Sequence, residues 1–255
     1  MDLELSGKGF LVTGGTNGLG LALAHTLVSE GARVVVCGRD EARLRSTASL
    51  LGPSGLVVAA DVTNAADRDR LLDATREFLP TIDGLVNNAG KSAATRVSDS
   101  TDEQWRDDYE LKVMAGLSLT RSLLNDLRAS RGSVVNVLAI MGRTMPAGST
   151  PTAASRAAGL ALTKVLSHEL GADGVRVNAV LVGLIESGQW QARAEQSGTE
   201  VDALYSALAS AMPIALGRVG RAQEFADVVT FLLSARASYL TGVALNVDGC
   251  LSTVA

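Results

Sequence analysis

"GFLVTGGTNGLGLALAHTLVSEGARVVVCG" occupies residues 9–38, and its reading decides the fold. It opens on a short apolar run, "GFLVTG" at 9–14, and turns through glycines at 14, 15, 18 and 20. A segment with Leu19, Leu23 and Leu27 on one helical face follows, and then a second apolar run, "RVVVCG" at 33–38. Strand, glycine turn, helix, strand predicts a βαβ unit with parallel strands and a right-handed crossover. Glycine allows both the tight turn and a close approach of the main chain to a ligand. The helix that begins there aims its N-terminus at whatever sits on the turn, which suits a phosphate.

The pattern continues outward. "GLVVAADV" (55–62), "GLVNNAG" (84–90), "SVVNVLA" (133–139), "RVNAVLVG" (176–183) and "VALNVDG" (243–249) read as further strands. Runs apolar on both faces suit buried parallel strands. Helices are expected over Gly18–Ser29, Asp40–Leu51, Asn64–Leu79, Thr101–Arg128, Pro151–Leu170 and Ala222–Ser234. The alternation specifies an α/β protein with helices on both faces of a parallel sheet. No linker or repeat divides the chain, so residues 1–255 read as a single domain. The irregular stretch 184–212 follows the sixth strand, where a long excursion is a natural substrate lid over a ligand crevice.

Composition agrees. Of 255 residues, 47% are hydrophobic and 4% aromatic, so Ala, Val and Leu must build the core. The net charge of −4 and the lack of a basic stripe argue against a nucleic-acid partner. "MDLELSGKGF" is too polar for a signal peptide, and no apolar run reaches membrane-spanning length, so a cytoplasmic protein with no membrane partner is expected. Cys37 and Cys250 read as reduced thiols. No His/Cys cluster has metal-ligand spacing, so no metal is expected.

The end of the second strand bears on the choice of dinucleotide. An acidic residue there would hold the ribose hydroxyls. This chain has Gly38 and then Arg39, and a guanidinium suits a 2′-phosphate, so NADP(H) is preferred over NAD(H).

Taken in order, "TGGTNGLG", "DV" at Asp61–Val62, "NNAG" at 87–90, "RVNAV" at 176–180 and "VDG" at 247–249 resemble the motifs of the short-chain dehydrogenase/reductase family, single-domain type. The resemblance spans essentially the whole chain. It implies a Rossmann-like doubly wound fold with a seven-stranded parallel sheet, a nicotinamide cofactor, and a homotetramer or homodimer. It places cofactor contacts at Gly14, Thr16, Asn17, Gly18, Leu19 and Gly20 of the turn, and at Arg39, Asp61 and Val62. Further contacts fall at Asn88, Ala89 and Gly90, then at Arg156, Gly183, Ile185 and Ser187.

The family's catalytic positions carry other residues. Its Tyr-x-x-x-Lys pattern falls on "TAASRAA" at 152–158, giving Thr152 and Arg156; its serine falls on Ala139, with Gly142 fixing the register; its asparagine falls on Lys112. An aliphatic hydroxyl is no acid or base near neutrality by itself, and arginine offers no acceptor. Losing a positioned general acid costs about 10²–10⁴ in rate. Lys112 and Arg156 would both face the nicotinamide end, which suits an anionic substrate, and a lysine beside an arginine has a lowered pKa and could act as an acid. The alternative is a snorkelled Lys112 paired with Glu110 or Asp108. Tyr205 is a candidate replacement phenol, with a lid contact as its other reading. Trp190 and Met212 are expected to line an apolar pocket in the lid. Tyr109 and Tyr239 read as packing, His25 and His168 as structural or surface residues, and Ser155 as the ordinary serine before the family's lysine.

Three functions follow. The first is an NAD(P)(H)-dependent oxidoreductase acting on a carbonyl or hydroxyl compound by a non-standard mechanism. The second is a catalytically inactive dinucleotide-binding pseudoenzyme, serving as a sensor or partner subunit. The third is a non-redox lyase or isomerase.

Overall fold

A computed structural model describes residues 1–254. The opening βαβ unit forms as expected: β1 (Gly9–Thr13), α1 (Gly18–Ser29) and β2 (Arg33–Gly38). Next come α2 (Glu41–Leu51), β3 (Gly55–Ala59), α3 (Ala65–Phe78) and β4 (Gly84–Asn87). The chain proceeds through α4 (Asp102–Tyr109), α5 (Ala115–Ser122), α6 (Leu124–Ser130), β5 (Ser133–Ala139), α7 (Met141–Thr144) and α8 (Thr152–Gly171). It closes with β6 (Arg176–Val182), α9 (Gly188–Ser197), α10 (Val201–Ala211), α11 (Ala222–Leu233) and β7 (Ala244–Val247).

The seven strands lie in the order β3-β2-β1-β4-β5-β6-β7, all parallel. The order reverses between β1 and β4, and the crevice above that switch point is where such sheets bind ligands. Val12 is paired with Val36 on one side and Val86 on the other, which brings the ends of β1 and β4 level.

Alternation along the strands feeds two cores. Phe10, Val12, Val34 and Val36 point into the layer held by Leu23 and Leu27 of α1 and Phe225 and Val229 of α11. Leu11, Val35 and Cys37 point into the opposite layer, against Leu71 of α3, Leu119 of α5 and Leu166 of α8. Every strand residue of β1 is buried, as the continuous apolar run predicts.

Several boundaries differ from expectation, and the fourth strand, like the third, ends three residues early, at Asn87. The third strand stops at Ala59, because Asp61 accepts the Thr63 N–H and hydroxyl at 3.0 and 2.7 Å and turns the chain out of the sheet. The helix expected over 101–128 is interrupted. Residues Glu110–Met114 form a π-helical turn, and Leu123 (φ −97°, ψ 5°) separates α5 from α6. The stretch 184–212, irregular in sequence, contains α9 and α10. Among the described residues, no helix is long and apolar enough to cross a membrane.

Candidate functional site

The glycine turn sits at the switch point. Gly14 and Gly18 adopt φ of +64° and +50°, where a side chain would be strained. A Cβ on Gly14 would lie 3.0 Å from the Ala89 Cα across the crevice, and one on Gly20 would lie 2.4 Å from the Gly14 carbonyl oxygen. The absent side chains therefore form a backbone-lined cradle at the start of α1, which fits a pyrophosphate. Thr13 ties the two sides together. Its hydroxyl accepts the N–H groups of Asn88 and Ala89, both at 3.0 Å, and Asn88 Nδ2 donates to the carbonyls of Thr13 and Gly14 at 2.8 and 3.1 Å. Thr16 packs against Gly38 at the tip of β2, where a Cβ would lie 2.4 Å from Thr16 Oγ1. Asn17 caps α1, accepting the Gly18 N–H at 2.8 Å, and Leu19 packs into the core below.

At the β2 end, Arg39 and Asp61 form an ion pair of 2.9 Å. Burial raises the Asp61 carboxyl, but the Thr63 N–H and hydroxyl and the Arg39 guanidinium outweigh it and hold the group below the ordinary carboxylate range. Val62 beside it is buried. Across the crevice, Gly183 at the end of β6 lies against Asp248, and Ile185 is buried and bridged to Gly220. Ser187 and Gly188 reach over the glycine turn: a Cβ on Gly188 would lie 1.9 Å from Asn17 Nδ2.

The other end is built from buried charge. Lys112 projects from the π turn, and its side chain is wholly inaccessible. π-Turns are frequent at functional sites because the extra residue re-aims a side chain. Lys112 Nζ donates to Asp108 Oδ1, one turn earlier on the same helical run, and to Thr152 Oγ1 at 2.9 Å. Asp108 Oδ2 accepts the Ser155 hydroxyl at 2.5 Å. Thr152 Oγ1 also accepts the Ala93 N–H at 3.0 Å, so the loop after β4 closes onto the start of α8. Arg156 Nη1 donates to the Val137 carbonyl at 2.7 Å, and its Nη2 lies under Gly90, 3.0 Å from where a Cβ would be. Gly142 lets α7 settle on Arg156, with a Cβ position only 3.1 Å from its main chain.

Burial pushes the Lys112 ammonium down to about 8, helped by Arg156 and Lys91 and opposed by Asp108. Burial also lowers Arg156, to about 10, which leaves it cationic at neutral pH. Beneath both, a cavity of about 20 Å³ is lined in part by Asn87, Asn136, Lys112 and Arg156. Asn87 Oδ1 and Arg156 Nε are buried there without a protein partner, and the space suffices for one water.

The sequence-derived residues thus gather as two groups along one crevice. Lys112 and Thr152 are hydrogen-bonded, Arg156 lies one turn further along α8 on the Val137 carbonyl, and Ala139 is the last residue of β5. Lys112 does not snorkel: it is buried, and of the two expected partners it takes Asp108, while Glu110 faces Arg68 at 3.9 Å. Asp108 and Ser155 are part of the cluster, and neither stood out in the sequence as a site residue. The available signal was spacing, since Asp108 precedes Lys112 by four residues and Ser155 follows Thr152 by three. Lys91, directly after the "NNAG" tetrapeptide, adds a third cation.

Helices α9 and α10 have their own apolar cluster. Trp190, Tyr205 and Leu208 pack on Leu184, Ile214 and Val219. The Tyr205 hydroxyl accepts the Ser187 N–H at 3.4 Å, while Met212 is 39% exposed. Tyr109 and Tyr239, expected to pack, are 45% and 100% exposed in this chain. His25 and His168 are on the surface, and Cys37 and Cys250 are both free.

Residues 14–252 match the family described as Enoyl-(Acyl carrier protein) reductase. The chain is 32% identical over 248 residues to a 3-oxoacyl-(acyl-carrier-protein) reductase of Vibrio cholerae, covering 97% of this chain and 98% of that protein. An NADPH-bound short chain oxidoreductase from Pseudomonas aeruginosa PAO1, containing an atypical catalytic center, superimposes with a TM-score of 0.91 at 33% identity, covering 97% and 98% of the two chains. L-sorbose reductase from Gluconobacter frateurii, complexed with NADPH and L-sorbose, gives 0.92 at 30% identity with both chains covered in full.

Proposed function

The chain belongs to the short-chain dehydrogenase/reductase family and is an NAD(P)-dependent oxidoreductase, and from that premise we propose that it reduces the carbonyl group of a small anionic compound with NADPH, without the family's tyrosine. One observation carries this reading. A buried lysine and an arginine stand at the end of the crevice where the family keeps its asparagine and lysine, with Asp108 the one carboxylate among the described residues that balances them. With Lys91 at the rim, the local charge suits a carboxylate, phosphate or developing alkoxide.

The glycine cradle at residues 14–20, Asn88, Ala89, Gly90 and Ser187 would hold the dinucleotide, with Arg39 and Asp61 at its adenosine side and Arg156 beneath its nicotinamide side. When bound, the reduced dinucleotide supplies hydride. The preference for NADPH rests on Arg39, and the NADPH-bound relatives support it. Arg156 positions rather than reacts, since it stays charged and spends Nη1 on the Val137 carbonyl. Residues 184–212 serve as the substrate lid, tied near its start where Tyr205 receives the Ser187 N–H. The exposed Trp105, Tyr109 and Met114 on one helical run suit assembly of several copies.

Oxidation of NADPH across a panel of 2-oxo acids, 3-oxo acyl compounds and neutral ketones tests the proposal. Faster turnover of the anionic members is expected, lost in Arg156→Ala. Tight NADPH binding with no hydride transfer to any carbonyl would favour the pseudoenzyme instead. Product formation without a change at 340 nm would favour a lyase or isomerase.

A further inference from the structure

We propose that Lys112 is the proton source for reduction, that the Thr152 hydroxyl relays its proton to the substrate, and that Asp108 is the positioning residue that holds Lys112 for this task. The inference rests on the reductase reading above.

The geometry carries it. Thr152 Oγ1 accepts two hydrogen bonds, from Lys112 Nζ and from the Ala93 N–H. Those fill its acceptor sites. Among the described residues its own hydroxyl hydrogen has no acceptor, although the residue is 98% buried by its 2% relative exposure. It stands at the first turn of α8, beside the loop that follows β4. A hydroxyl that receives two donors and keeps one proton to give is set to donate onward. Threonine alone is too weak an acid for this, but a relay hydroxyl need not change its own protonation state.

The step balances as follows. As hydride arrives at the carbonyl carbon, the electron pair of the C=O π bond moves to oxygen. That oxygen forms an O–H bond with the Thr152 hydroxyl proton. The Thr152 oxygen takes a proton from Lys112 Nζ, and Lys112 is left neutral until, once product has left the crevice, it regains a proton by the same route in reverse, through the Thr152 hydroxyl. The reverse sequence serves alcohol oxidation.

The charged and hydrogen-bonding groups facing Lys112 come from three elements. Asp108 is on its own helical run, Thr152, Ser155 and Arg156 are on α8, and Lys91 is on the loop after β4. Arg156 and Lys91 favour proton loss, and Asp108 favours retention. Ser155 holds the second carboxylate oxygen of Asp108, so the acid cannot rotate away. Asp108 is itself only 3% exposed, which isolates the pair from water. A proton-transfer group with a pKa near the working pH is the effective kind.

The chain has four lysines, at 8, 91, 112 and 164, so Nζ-adjacent carbon signals of lysine-labelled protein can be titrated individually. Lys112, assigned by its loss in Lys112→Arg, is expected to titrate near 8, and lower still in Asp108→Asn. This readout does not depend on turnover. A Lys112 that titrates near 10.5, or that does not move in Asp108→Asn, overturns the positioning role. In single-turnover reduction, Thr152→Val and Lys112→Met should each lose about 10²–10⁴ in rate, Thr152→Ser should retain most of it, and the double variant should lose little more. The high-pH limb of the rate should shift down in Asp108→Asn, which loss of packing alone would not cause. Thr152→Val as fast as wild type overturns the relay. A wild-type protein that reduces nothing in the panel overturns the reductase reading and the relay with it, while the titration still decides the Asp108–Lys112 coupling.

Discussion

Each end of the crevice contains an ion pair made by one acid and one base. At the β2 end, the side chains of Arg39 and Asp61 keep 71% and 31% of their exposure. At the α8 end, those of Lys112 and Asp108 keep 0% and 1%. The first pair is solvated, as the proposed exchange for a ligand phosphate requires, and worth little to the fold. The second has lost its water, and each member depends on the other and on Ser155 and Thr152. Ligand binding at the first end calls for access. Proton transfer at the second calls for exclusion of water and fixed geometry. The two pairs are alike in composition and differ in environment, and the two proposed tasks rest on that difference.

The largest test of that contrast removes one charge from the buried pair. Asp108→Leu leaves Lys112 without a counter-ion and should cost about 3–5 kcal/mol in urea unfolding at neutral pH. Replacing both members, Asp108→Leu with Lys112→Met, should recover most of that stability, because the desolvation cost disappears with the charges. Equal stability of the single and double variants would break the comparison.

A smaller effect is expected at the glycine cradle. The Cβ of Gly20→Ala would meet the Gly14 carbonyl at 2.4 Å and Asn88 Nδ2 at 2.5 Å. Relief requires main-chain movement, costing about 1–3 kcal/mol. A lowered Tm together with loss of NADPH binding by calorimetry is the expected outcome, with the Lys112 titration unchanged.

The pH dependence of stability separates the ends without changing binding. Lys112 is lowered from 10.5 to about 8 in the folded chain. Between those values the unfolded chain holds the extra proton, so this group makes stability rise with pH. Relative to Lys112→Met, wild type should gain about 1–2 kcal/mol between pH 7 and 9.5. Cys37, raised from 9.0 to about 11 by burial, acts in the opposite sense, and the variant comparison cancels it. A difference that is flat or falling with pH would mean that Lys112 is not held at a depressed pKa.

The smallest effect belongs to the exposed pair. Arg39→Ala should leave the Tm within a degree or two, as surface ion pairs contribute about 0–1 kcal/mol, while the preference for NADPH over NADH falls about tenfold. An unchanged preference would remove Arg39 from cofactor selection.

Much of this architecture was legible from residue order. The continuous apolar runs at 9–13, 33–38 and 133–139 became β1, β2 and β5, because strands buried on both faces need no alternation. The glycines at 14, 15, 18 and 20 marked the cradle, because main-chain conformation there is local. The resemblance placed Lys112, Thr152 and Arg156 at one site. Asp108 and Ser155 were less legible. An aspartate four residues before a lysine is an ordinary surface pattern on a helix, and only the π turn at 110–114 and the contact with α8 turn it inward. The exposure of Tyr239 and Met212 was equally hidden, since apolar character does not say which surface covers it.

The amino-acid sequence by itself determined the alternation of strand and helix, the position of the glycine cradle and the presence of a threonine at 152 and an arginine at 156, all of which depend on residue type and short-range order. The tertiary structure alone decided that an acid at 108, a base at 112 and hydroxyls at 152 and 155 share one dry site. Charge and hydrogen-bonding energies depend on distance and on the surrounding dielectric, and both are set by how α4, α8 and the loop after β4 pack together.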